Sequence, residues 1–193
     1  MKTIMIQTAI AAALVGAAAP AVAQSVPAAT IAVVDLEKVT GQCNACKTAG
    51  AALTSQVNAL RARQSALAAP LETERKSIQA AVTALNGKTP DAALQARIQA
   101  FQTKGQQGSQ EISRQEQQIQ RNQAYIQQQI GAKLGPIYQQ VMQRRGANVM
   151  IEIGSTLATG AALDVSNDVL AALNASLTSV QTTAPAQAAP QGR

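Results

Sequence analysis

The chain reads as a mainly α protein with a small β body: a long antiparallel helical hairpin (a coiled-coil arm) projecting from a small strand-containing oligomerisation domain. Three observations carry that reading. Apolar residues recur with 4-then-3 spacing through most of residues 42–145, the signature of a helical seam. One turn cluster, Asn86-Gly87-Lys88-Thr89-Pro90-Asp91, interrupts them. Short β-branched runs flank them on both sides. Composition agrees, since the chain is rich in Ala and Gln with only 2% aromatic residues, a poor supply for one bulky core.

Residues 1–23 have the form of an export signal. Met1 and Lys2 precede an apolar run at 4–19, broken only by Gln7 and Thr8, and Ala21-Val22-Ala23 offers a small-residue cleavage site before Gln24. The expected location of the mature chain is the periplasm, where disulfides persist. The body is expected from residues 24–41 together with 146–180. Its strands are placed at about 31–35, 148–153 and 161–165, with a helix at about 167–178, capped by Ser166 and carrying Asp168 in its first turn. Residues 181–193 form a Pro/Ala/Gln tail expected to be disordered.

Within the arm, residues 42–145, the turn is placed at 86–91. The seam of the first helix runs Leu53, Val57, Leu60, Gln64, Leu67, Leu71, Glu74, Ile78, Ala81 and Leu85. That of the second runs Leu94, Ile98, Phe101, Gly105, Gly108, Ile112, Gln115, Ile119, Asn122 and Ile126, then slips through a stutter to Ile130, Leu134, Ile137 and Val141. Folding about the turn pairs residues whose numbers sum to about 177. Pro70 then lies level with Gly105 and Gly108. A helix-interior Pro removes a hydrogen bond and each Gly costs about 1 kcal/mol of helix stability, so these three residues are expected to form a hinge. Gly135-Pro136 falls opposite Gly41-Gln42, where the arm should leave the body.

Charge is segregated. Between residues 47 and 145 there are 13 Lys and Arg against five acids, a net +8, while the rest of the mature chain holds two bases against five acids. Arg61, Arg63, Arg75, Lys76, Lys88, Arg97, Lys104, Arg114 and Arg121 are therefore candidate contacts for something anionic, an acidic client or a lipid headgroup on a membrane surface. Scattered charges that merely keep helices soluble are the plainer alternative. Nucleic acid is disfavoured by the export signal and by the scarcity of stacking aromatics.

With no His, every triad built on that residue is excluded, as is a His-ligated metal site. No catalytic residue, metal site or cofactor is expected, and the chain is not read as an enzyme. Cys43-Asn44-Ala45-Cys46 is the one motif with chemistry of its own. A local structural disulfide is the leading reading. A redox-active thiol at a helix start, an intersubunit bridge and metal capture are the alternatives. Glu72 and Glu74 do not share a helix face and are read as solvated or seam residues.

The order of these parts resembles the OmpH/Skp family of periplasmic chaperones. The likeness lies in IAVVDLEKV after the signal, the helical hairpin, and the closing NVMIEIGSTLATGAALDVSNDVLAALN. The resemblance implies a homotrimer whose strands build one body and whose arms surround a cavity. It implies a holdase that keeps unfolded outer-membrane proteins from aggregating without ATP. A structural spacer or adaptor of the cell envelope is the second reading, and a C-x-x-C thiol–disulfide oxidoreductase the third.

Overall fold

The structure is a computed structural model and describes residues 27–185. The export signal expected at 1–23 and the end of the tail, 186–193, lie outside the described residues. Strand β1 (Ile31–Val34) opens the fold because three consecutive small or β-branched side chains, Ala32, Val33 and Val34, can all be buried. It pairs in parallel with β2 (Val149–Glu152), Ile31 opposite Val149 and Val34 opposite Glu152. A parallel pair needs a long crossover, and here the crossover is the whole arm.

The chain enters the arm through a separate short helix, which corrects the expected arm start at residue 42. Asp35 caps α1 (Leu36–Gln42) by accepting the Lys38 N–H at 2.8 Å. Cys43 then takes an extended ψ of 127° and breaks the helix. Helix α2 (Asn44–Ala84) and helix α3 (Ala92–Arg145) follow, about 62 Å and about 81 Å long at 1.5 Å per residue. Between them Asn86 (φ 46°) and Gly87 (φ 85°) make the left-handed turn that the Asn-Gly pair announces. Asp91 restarts the chain as a helix by accepting the Leu94 N–H at 2.8 Å. Helix α3 ends on Gly146 at φ 65°, with Ala147 N–H reaching back to Met142 O at 2.9 Å.

No strand forms at 161–165. Residues Ala161–Leu163 form a single 3-10 turn, as do Ile153–Ser155, and contact with the sheet is a single bridge from Asp164 to Val33. The reason lies in Asp164, whose carboxylate accepts both the Ser166 N–H at 2.8 Å and the Ser166 hydroxyl at 2.5 Å. That turns the chain into helix α4 (Ser166–Ser176) before a strand can extend. Ser166 is thus the first helical residue and not the cap. Its buried Oγ instead accepts the N–H of Asp35, 131 residues away, at 2.8 Å.

The core gathers where these elements meet. Val39 of α1, Cys43, Val141 of α3, and Val169 and Leu173 of α4 are each 0% exposed. Leu134, Ile137 and Leu177 extend the same cluster. Gly135 and Pro136 lie within α3 between two of these buried residues, so the root of the arm is part of the body core. Arg145 donates to Asp168 at 2.7 Å and joins the end of α3 to the start of α4. Residues 181–185 are not disordered. They lie along the arm, held by side chains of α2 and α3.

Candidate functional site

The chemistry of the arm lies along its length. Every seam position named from the heptad pattern is shielded at least in part except Gln64, which is exposed and donates sideways to Glu116 at 3.2 Å. Shielding is nevertheless shallow. Between Leu60 and Ile126 no apolar side chain is buried. Two helices cannot surround a seam, so Leu67, Leu71, Ile78, Leu94, Ile98, Phe101 and Ile112 stay half open to water.

Cross-arm polar contacts hold the two helices in register. Arg63 Nε and Nη2 donate to Glu111 at 2.7 and 3.0 Å. Arg97 Nε and Nη2 donate to Glu74 at 2.6 and 3.1 Å, and Nη2 also reaches Ser77 Oγ at 2.7 Å. Hydrogen bonds from these guanidinium groups, with their charge, hold the Glu111 and Glu74 carboxyls below the ordinary carboxylate range. Glu72 is solvated and drawn down to about 2, first by its hydrogen bond from Arg75 three residues on. Glu74 is therefore a seam residue that pairs across the arm, and Glu72 a surface residue that pairs along one helix.

Pro70 and Gly108 meet mid-arm at one groove, and Gly105 lies about one turn away on α3. Both helices run unbroken through them. Pro70 and Gly108 line a groove of about 440 Å³ whose wall includes Leu67 and Leu71 and whose rim carries Arg63, Glu74, Lys104 and Glu111. Gly108, with no side chain, helps to leave that space. A methyl group on Gly108 would just touch Leu67 Cδ1 at 3.7 Å, and one on Gly105 would meet nothing within 4 Å.

The nine basic candidates separate into two sets. Arg63, Arg75, Lys76 and Arg97 are engaged in ion pairs within the arm, which reduces the charge they can offer a ligand. Arg61, Lys88, Lys104, Arg114 and Arg121 make no ion pair among the described residues. Lys88 sits in the tip turn, Lys104 at the groove, and Arg121 near the root, where it donates to Gln118.

Cys43 and Cys46 are joined, with their Cα atoms 5.1 Å apart. Cys43 is buried in the core and Cys46 half buried beside it. The Cys43 sulfur also accepts the Cys46 N–H at 3.2 Å and so caps α2. No cluster of residues suited to a metal ion occurs among the described residues, and no described helix is long and apolar enough to cross a membrane.

Sequence reasoning missed a second constellation at the root of the arm. Gln56, Gln118, Asn122, Tyr125 and Gln129 all hydrogen-bond to residues 181–184. The available signal was the polar Asn122 at a seam position, with Gln four residues before it and Gln seven residues after it.

A long helical hairpin with an open seam, rooted in a small mixed body, defines a class of proteins that present surface along an arm instead of enclosing a substrate. The family described as outer membrane protein (OmpH-like) matches residues 30–173, and the chain belongs to that family. Among solved structures, it is similar to that of a candidate outer membrane chaperone (OmpH-like) from Caulobacter crescentus CB15. The two share 16% sequence identity with a TM-score of 0.68, over 85% of this chain and 96% of the other. No curated protein matches the chain in sequence.

Proposed function

We propose that this protein is an ATP-independent periplasmic holdase that keeps unfolded outer-membrane protein precursors from aggregating, holding them between the helical arms of a homotrimer. The observation that carries the proposal is the open seam: from Leu60 to Ile126 the arm buries no apolar side chain. Surface of this kind makes many weak, adaptable contacts, which suit varied clients and permit release. The mid-arm stretch that holds Pro70, Gly105 and Gly108 serves in this reading as the hinge that lets arms fit clients of different size. The basic residues without ion pairs, Arg61, Lys88, Lys104, Arg114 and Arg121, serve for acidic clients or anionic lipid, so capture weakens as salt rises.

Family membership supports the chaperone role, and the body supports self-association. Ile31, Val149 and Leu163 remain 37–40% exposed around the two-stranded sheet of the described residues, apolar surface that a second copy could cover. In this proposal residues 1–23 direct export and are removed. The Cys43–Cys46 bond is a structural staple at the start of α2 and not a redox centre, because its first sulfur is sealed in the core.

The test is dilution of a urea-unfolded β-barrel protein into buffer with and without near-stoichiometric chaperone. Suppressed light scattering, together with a trimeric mass, is the expected result. Undiminished aggregation would overturn the holdase reading and leave the envelope spacer.

A further inference from the structure

A polar ladder stands at the root of the arm. Gln118, Asn122, Tyr125 and Gln129 stand on one stripe of α3 at helical spacing, and Gln56 faces them from α2, where Asn122 Nδ2 donates to Gln56 Oε1 at 2.8 Å. Residues 181–184 lie against this ladder. Gln129 engages both backbone groups of Gln181, accepting its N–H at 3.0 Å and donating to its C=O at 2.8 Å. Gln56 donates to the next carbonyl, Thr182 O, at 3.1 Å from the opposite helix. After a bend at Thr183, Asn122 accepts the Ala184 N–H at 2.8 Å and Gln118 donates to the Ala184 C=O at 3.4 Å.

Five bonds thus fall on the backbone of the segment and only one on a side chain, from Tyr125 OH to Gln181 Oε1 at 3.0 Å. None of the side chains of residues 181–185 is buried. The ladder therefore reads peptide groups and not residue types. Any unfolded chain that can follow the same bent path presents the same groups. Beside Thr183 the groove continues over Ala59, Leu60 and Ile119 in a space of about 360 Å³.

We infer that this ladder is a binding site for unfolded polypeptide backbone, and that the chain's own residues 181–185 occupy it as an intramolecular placeholder that a client segment displaces. The inference rests on the chaperone reading and adds to it a place where client backbone is held. It also gives the glutamine-rich helix a purpose. Amide side chains carry a donor and an acceptor together, so each can match a peptide unit as Gln129 does.

The experiment uses the mature chain in three forms. One is unchanged. One carries Gln181→Pro and Ala184→Pro, which delete the two N–H donors of the segment and leave the ladder intact. One carries Gln118→Ala and Gln129→Ala, which remove ladder amides and leave the segment intact. The probe is a short fluorescein-labelled peptide of Ser, Ala and Thr alone, followed by anisotropy, with circular dichroism to confirm unchanged helix content. Freeing the ladder should tighten probe binding about fivefold, and stripping it should weaken binding about fivefold, about the scale of one net hydrogen bond. Shifts in the same direction, or no shift in either variant, would overturn the inference and leave the segment as a strap that only braces the arm. The light-scattering assay on the unchanged protein separates the two readings. If it suppresses aggregation while the paired variants behave alike, the ladder fails and the holdase stands. Failure to suppress aggregation removes the holdase itself.

Discussion

In the body, β1, α1, α2, α3 and α4 close on one centre, and Val39, Val141, Val169 and Leu173 lose all contact with water. In the arm, a far longer stretch of regular apolar spacing leaves every Leu and Ile between Leu60 and Ile126 at least partly wet. The same residue types, in the same chain, differ because enclosure needs neighbours on several sides and a two-helix hairpin supplies one. Hydrophobic stabilisation follows area removed from water, so the body is held by burial. The arm depends more on helix propensity, capping and paired charges. A protein built this way can lend its arm surface to another chain without risking its own fold.

The sharpest way to break that contrast is Leu173→Ala. A fully buried Leu in the body should cost about 3 kcal/mol, seen as a lowered urea midpoint, and a loss below 1 kcal/mol would show that the body is not the cooperative core. Reducing the Cys43–Cys46 link should cost about 2 kcal/mol or less, because the loop it closes is short; thermal melts with and without reductant measure this. A change in stability with the opposite sign awaits Gly105→Ala with Gly108→Ala. The sites have room for a methyl group, so the double variant should gain about 1–2 kcal/mol in helix stability. It should also narrow the range of client sizes captured if the mid-arm stretch is the hinge. Ile112→Ala, in the half-open seam, should cost about 1 kcal/mol, clearly less than Leu173→Ala in the same melt.

Acid supplies the smallest and most selective effect. Glu74 and Glu111 have folded pKa values below their unfolded ones. The stability they contribute is present above about pH 4.5 and is lost as pH falls through the depressed folded values. Hydrogen exchange should show loosening of the arm in that window while the apolar body core holds. Equal loosening in both regions would contradict the division.

Much of the arm was legible because its information is local. Helical period, the Asn86-Gly87 turn and even the stutter near Ile126 are set by neighbours within a few residues, and every seam residue but Gln64 is shielded at least in part. The body was less legible because it is settled at long range. Helix α1 is bounded by Asp35 and by the backbone of Cys43, and nothing in a heptad search signals either. The strand expected at 161–165 is lost to Asp164 capping Ser166, whose hydroxyl in turn serves a backbone group 131 residues earlier. The polar ladder stayed hidden for the same reason. Asn122 is a polar residue in the seam whose partner, the Ala184 N–H, returns to it from 62 positions further on.

The parallel pairing of β1 with β2 has a consequence for the order in which the molecule assembles. Ile31 meets Val149 only after 118 residues have been made and delivered. Closing so long a loop from a random chain is entropically slow. The hairpin shortens the search, since its two helices can zip outward from the Asn86-Gly87 turn on nearby contacts and bring their roots together. The arm is in this sense the splint on which the body is set. An insertion of a whole heptad into each helix would lengthen the splint without moving its ends. Reach can thus change between relatives while the strands that must meet still do.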